Sequence, residues 1–323
     1  MIHFPDFYDP ERVGELFYPD MAHIEDDAQA ANLPPASTDA QNVHLVIIDM
    51  QVDFCHEEGS LFVPGAPDDL RRLIAFIYTY APYISKITCT LDSHLPFQIF
   101  HPSWWADAAG NLPEPMTMIT ADDLRHEKWH PTVMHEYSAN YVRQLEEQAK
   151  KKLMIWPYHV LVGSPGNALD PSLWTAVFWH SLARRTQPSW LPKGMLPQTE
   201  HYSAVQPEIP LPKQPQKGKN RAFLDSLAKA DVVLVAGEAE SHCVVETLED
   251  IAAEFSDEPG QLEKIYVLQD CMSPVQHPEV DFHAEALEKF DRLAEAGMHF
   301  IDSTDPAPFL EAVGAEEIPL AEM

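Results

Sequence analysis

Apolar residues in this chain fall into short unbroken runs separated by amphipathic stretches. His44-Leu45-Val46-Ile47-Ile48-Asp49 is rich in β-branched residues and ends on a carboxylate, the pattern of a strand buried on both faces. From Asp69 to Ile84, Leu70, Leu73, Ile74 and Ile77 recur at helical spacing. Residues 84–91 predict a second strand ending at Asp92. The pattern then breaks into Trp-, Pro- and His-rich sequence over 101–155, with a helical stretch from Tyr137 to Lys152. Prolines are too frequent for a long helix over 156–215, except from Ser172 to Arg184.

Alternation resumes with a strand at Val232–Gly237, a helical face of Val244, Val245, Leu248, Ile251, Ala252 and Phe255, and a strand at Ile265–Leu268. An amphipathic helix from Ala284 to Ala296 stops at Gly297, where a left-handed cap is expected, and Met298–Ile301 makes a last strand. Such alternation predicts an α/β fold: a parallel sheet of about six strands with helices on both faces. Ligands in these folds sit at the carboxyl ends of strands, which directs attention to Asp49, Asp92 and the loop after Gly237. Residues 1–42 show little apolar periodicity and read as an N-terminal extension packed on the surface. A single domain is expected over 43–310, with insertions at about 101–155 and 172–192, and a tail at 311–323.

Composition narrows the function. The 323 residues include 51 acidic and 21 basic side chains, a net charge of −30, which disfavours nucleic acid and anionic membrane surfaces as partners. With 45% hydrophobic and 10% aromatic residues, the chain has enough apolar surface for a sizeable core. No apolar run is long enough for a membrane span, and the opening Met1–Asp6 has neither the basic nor the apolar region of a secretory signal. Four scattered cysteines without a Cys-x-x-Cys pair fit a reduced, cytoplasmic setting. Neither phosphate-cradling glycine motif is present, and the serine of Gly163-Ser164-Pro165-Gly166 stands one place off a nucleophile elbow.

Among the cysteines, Cys243 alone follows a strand and a tight turn at the start of a helix. Helix-terminal N–H groups there favour a thiolate and can receive an oxyanion. Cys55, Cys89 and Cys271 lack that placement and read as buried small hydrophobes. A nucleophilic thiol needs a proton acceptor. His242 is adjacent, but neighbouring side chains at a helix start diverge, so Asp49 at the mouth of another strand is the better candidate. Asp92 and His94 project to one side of an extended segment, and His159 offers a third ligand, a set suited to a divalent ion. By spacing alone, His130 with His135, or His277 with His283, could be gathered into comparable sets.

Four separated segments together carry a resemblance. They are Ile47-Ile48-Asp49-Met50-Gln51-Val52-Asp53-Phe54-Cys55; Thr90-Leu91-Asp92-Ser93-His94; Trp156-Pro157-Tyr158-His159 with Gly163–Gly166; and Lys193-Gly194 continuing through Tyr202-Ser203-Ala204 to Gly237–Val244. In this order, spanning about 43–302, they resemble the isochorismatase-like cysteine hydrolases, and within them the nicotinamidase branch.

The resemblance implies a three-layer α/β fold with Cys243 as nucleophile, Asp49 as proton shuttle and Lys193 as the cation between thiolate and carboxylate. It implies a cis peptide before Ala239, whose N–H joins that of Cys243 in an oxyanion hole. Asp92, His94 and His159 match metal ligands, with zinc the first expectation and iron or manganese as alternatives. Phe54 and Trp156 match the aromatics that sandwich the substrate ring. The implied activity is hydrolysis of a small carboxamide, nicotinamide-like, to an acid and ammonia through a thioester. A homo-oligomer is also expected. The alternatives are another amide or carbamoyl substrate, or a catalytically silent member that binds a metal or partner.

This chain departs from the pattern in carrying Glu240-Ser241-His242 before the cysteine. His101 lies farther from His94 than the family's additional histidine and is not counted as a ligand. The 101–155 and 172–192 segments flank the metal and lysine motifs and are expected to reshape the pocket. Asp49 would be compensated by Lys193 and Asp92 by the ion, leaving the acidic excess on surfaces such as Glu25-Asp26-Asp27 and the Glu316-Glu317 tail.

Overall fold

A computed structural model describes residues 4–149, 151–211 and 218–315. Six strands form its main sheet: β1 (Val43–Ile48), β2 (Lys86–Asp92), β3 (Ser189–Lys193), β4 (Val232–Gly237), β5 (Ile265–Leu268) and β6 (His299–Ile301). Their spatial order is β6-β5-β4-β1-β2-β3, and every pairing is parallel. The run of β-branched residues in β1 is the central strand, with all six residues buried.

Alternate residues of a strand point to opposite faces. Leu45 and Ile47 of β1 and Leu234 and Ala236 of β4 therefore pack into one core layer, and Val46, Ile48, Val233 and Val235 into the other. The helices divide accordingly. Ala66–Tyr80 (α2) and Pro171–Arg184 (α4) cover the first face, together with Met21–Ala30 (α1), which packs on α4. Arg221–Ala228 (α5), Val245–Glu254 (α6) and Phe282–Glu295 (α7) cover the second. The helix His135–Gln144 (α3) belongs to the segment before α4.

Strand boundaries agree with the periodicity to within two residues, and Gly297 takes the left-handed cap, with φ +115°. The segment expected as an insertion at 172–192 belongs to the layers themselves: α4 packs on the first face, and β3 joins the sheet. The prolines hid this strand. Pro192 is tolerated because β3 is an edge strand, where one side of the ladder needs no donor. The helix expected over 137–152 runs from His135 to Gln144, followed by one wide turn at Leu145–Ala149 and a short strand at Leu153–Met154. Lys150, within that expectation, lies outside the described residues, as do Glu316 and Glu317.

The extension is tied down by side chains rather than by a sheet. The fully buried Arg184 pairs with Asp39 at 2.5 Å and donates to Pro34 O, while Trp179 Nε1 donates to Asp27 Oδ1 at 2.7 Å. Register does the rest for the site. Ile48 pairs with Gly237 and Asp92 with Lys193, so the carboxyl ends of β1 to β4 form one rim. Gly237 is required there, since a Cβ would stand 2.1 Å from Ile48 O.

Candidate active site

Asp49 leaves β1 in the left-handed region, with φ +46°. Thr90 of β2 fixes it: the hydroxyl accepts from Asp49 N–H at 3.0 Å and donates to Oδ1 at 2.6 Å. Lys193, the last residue of β3, reaches across the rim. Its Nζ lies 2.8 Å from Asp49 Oδ2 and 3.3 Å from Asp92 Oδ1, and donates to Cys243 Sγ at 3.4 Å and His201 O at 3.1 Å. Cys243 sits in the turn Glu240–Val244 that opens α6, downstream of a cis peptide between Glu238 and Ala239. The structure thus brings together three side chains drawn from distant segments, all of them buried.

Electrostatics follow from enclosing two carboxylates, one ammonium and one thiol. Burial raises the Asp49 pKa, with Lys193 opposing and Asp92 reinforcing the shift. Burial pushes the Cys243 thiol well above its ordinary value, against the pull of Lys193. Burial disfavours the Lys193 charge, but Asp49, Asp92 and Cys243 outweigh it and keep the ammonium protonated. Burial also opposes ionisation of Asp92, yet His94, Lys193 and His159 hold its carboxyl below the usual range. Proton transfer from Cys243 to Asp49 leaves the net charge of this cluster unchanged, whereas loss of the thiol proton to solvent would add an uncompensated anion.

Beside the cysteine, Asp92, His94 and His159 present ligand atoms all within 4.8 Å of one another. His94 Nε2 is 3.0 Å from Asp92 Oδ2, while His159 Nδ1 is 2.7 Å from Pro157 O. Gln51 braces the Asp92 backbone by accepting from its N–H and donating to its carbonyl. His101 lies next to the set but outside it: it is fully buried, with its ring centroid 6.0 Å from that of His94 and 6.4 Å from that of His159. A donor set of imidazole nitrogens and one carboxylate fits a first-row divalent cation. Among the described residues, the other histidine pairs weighed from sequence form no comparable cluster.

Phe54, Trp156, His159, Ala239 and Cys243 line one cavity. Trp156 packs edge-on against His242, with ring centroids 5.3 Å apart. His242 itself points to Ser241 Oγ, 2.8 Å from Nδ1, and its other ring neighbours are Tyr202 and Phe282. Glu200, His201 and Tyr202 also line the cavity, and periodicity gave no sign of them because they lie in the irregular segment after the edge strand. His101, not counted as a ligand from the sequence, stays outside the Asp92, His94 and His159 group.

Comparison with solved structures finds the same fold elsewhere. The chain is similar to the yeast nicotinamidase Pnc1p, with a TM-score of 0.52 and 20% identity over 80% of this chain and 99% of that one. It is similar to the Acinetobacter baumanii nicotinamidase pyrazinamidease, with a TM-score of 0.51 and 20% identity over 82% of this chain and 98% of that one. Roughly a fifth of this chain lies outside each match. No protein-family model and no curated protein matches the sequence. The chain therefore shares the fold of these structures, an α/β sandwich around a six-stranded parallel sheet.

Proposed function

We propose that the protein is a metal-containing cysteine amidohydrolase that cleaves a small heteroaromatic carboxamide, nicotinamide-like, to the acid and ammonia. The observation that carries this reading is Lys193 Nζ, 2.8 Å from Asp49 and 3.4 Å from the Cys243 sulfur. A buried base, cation and thiol in contact serve thiol activation. The scaffold shared with the two nicotinamidases and the aromatic walls Phe54 and Trp156 support the choice of substrate.

In this mechanism Asp49 takes the Cys243 proton as the sulfur bonds to the amide carbon. The N–H groups of Ala239 and Cys243 receive the oxyanion. Asp49 then protonates the leaving nitrogen, the C–N bond breaks, and ammonia departs from a thioester. A water molecule, deprotonated by Asp49, attacks that thioester; the acid leaves and the thiol is restored. Lys193 stays charged throughout and offsets whichever of Asp49 or Cys243 is anionic. Asp92, His94 and His159, with His101 beside them, would hold the divalent ion, which supplies Lewis acidity and an anchor for a substrate ring nitrogen.

Ammonia release from a panel of amides tests the reading, with pyridine-3-carboxamide, pyrazine carboxamide and N-carbamoyl amino acids compared on the parent and on Cys243→Ala. Turnover by the parent and none by Cys243→Ala is expected. Equal turnover by both proteins, or none by a metal-loaded parent, sinks it.

A further inference from the structure

One wall of the cavity is held by a chain of hydrogen bonds that the proposed reaction does not use. Trp156 Nε1–H donates to Tyr202 OH at 3.0 Å, and Tyr202 O–H donates to Glu200 Oε1 at 2.6 Å. The other carboxyl oxygen, Oε2, accepts from Tyr141 O–H at 3.2 Å, and Tyr141 OH in turn accepts from Glu200 N–H at 2.9 Å. Glu200 is 2% exposed and Tyr141 1%. A buried carboxyl is retained at a cost unless its oxygens are paired, and here both are paired to phenols. Two of the members, Trp156 and Tyr202, face the substrate space directly, and Glu200 lines it between them and α3. Tyr141 comes from α3, inside the 101–155 segment.

An indole can slide or tilt in an apolar slot, because stacking contacts constrain its rotation weakly. A hydrogen bond from its only donor fixes the plane. The Tyr202 hydroxyl can accept that bond in one orientation because its own proton is committed to Glu200. Glu200 in turn is held on its far side by Tyr141.

We propose that Glu200 is a positioning residue: acting through Tyr202 it sets the plane of Trp156, and through Tyr141 the 101–155 segment sets the width of the slot for a planar substrate ring. The substrate part of this inference rests on the proposed amidohydrolase activity; the control of Trp156 does not.

Two readouts on the full chain test it. With 5-fluorotryptophan incorporated, the Trp156 signal in the ¹⁹F NMR spectrum is assigned by its loss in Trp156→Phe. Tyr202→Phe and Glu200→Ala should each shift and broaden that signal, and Glu200→Gln, which can still accept from Tyr202, should keep it near the parent position. An unmoved Trp156 signal in both Tyr202→Phe and Glu200→Ala overturns the proposal. For pyridine-3-carboxamide, Tyr202→Phe should raise KM by about tenfold with kcat changed much less, since binding geometry and not the thiol chemistry is disturbed. A fall in kcat at constant KM overturns it as well. Should Glu200→Ala fail to fold, Tyr202→Phe, which loses one hydroxyl, decides the NMR test. Absence of any amide turnover by the parent would refute the amidohydrolase reading and leave the NMR result to decide the control of Trp156.

Discussion

The Lys193 ammonium lies 2.8 Å from Asp49 Oδ2, with the lysine side chain 2% exposed and the aspartate fully enclosed. The two come from different strands, β3 and β1, that are separated in the sheet by β2. Their contact is made at the rim where the strands end, and it carries the first prediction. Lys193→Met should destabilise the fold by about 3–5 kcal/mol, because Asp49 and Asp92 are then buried without their cation. Denaturant unfolding of parent and variant measures this. A loss below about 1 kcal/mol would mean that the pair is solvated in the free protein.

Cys243→Ala should abolish amide turnover and leave the melting temperature within a few degrees of the parent. The thiol is buried, but its removal deletes one small atom from a cavity wall and leaves Lys193 paired to both carboxylates. A coincident loss of stability and activity would assign the cysteine a packing role instead.

Metal content gives a test that needs no substrate. The purified parent should carry one equivalent of a divalent metal by elemental analysis, and His94→Ala or His159→Ala should lose it. His101→Ala, which removes the ring packed beside His94, should weaken metal affinity by about 10–100-fold. A metal-free parent that fails to take up zinc, iron or manganese on dialysis would leave the three side chains as a hydrogen-bonded cluster only.

Glu200 links stability to pH. Burial raises its pKa from 4.5 to about 8; Glu208 adds to the shift, while Tyr202, Lys151 and Tyr141 oppose it. The folded chain therefore keeps a proton that the unfolded chain gives up near pH 4.5. Its stabilising contribution is complete below that value and is lost as pH rises to about 8. Chemical denaturation across this window should show a decline in the parent that is shallower in Glu200→Gln, by up to about 1.4 kcal/mol per pH unit. Identical slopes in the two proteins would show that Glu200 titrates normally.

Two glycines at positive φ should respond differently to alanine. Gly237 has Ile48 O 2.1 Å from where a Cβ would be, whereas Gly110 at φ +87° has open space around it. Gly237→Ala is expected to yield insoluble or unfolded protein. Gly110→Ala should cost about 1–2 kcal/mol, the ordinary penalty of the left-handed conformation. Expression and thermal melting of the pair separate backbone strain from steric collision.

Much of the scaffold was readable because burial on two faces leaves a strong one-dimensional trace. Val43–Ile48 and Val232–Gly237 could be placed as strands from their composition alone, and the carboxylates closing β1 and β2 pointed to the site. Ser189–Lys193 left no such trace. Its Trp190, Pro192 and Lys193 suit an edge strand that pairs on one side only, and that status exists only once β2 is beside it. Lys193 was therefore reached through the motif resemblance and not through periodicity. Glu200 was missed for a related reason. Its chemical character depends on being sealed from water by residues far away in sequence, such as Tyr141.

The sequence by itself determined the alternation of strands and helices and the residue types available at the strand ends. Those properties are local, set by backbone sterics and by the period at which side chains return to one face. Only the tertiary structure decided which charges meet. Parallel register sets Asp92 against Lys193 and Ile48 against Gly237. That register follows from packing both faces of the sheet at once, and it turns four separated polar residues into one enclosed, charge-coupled cluster.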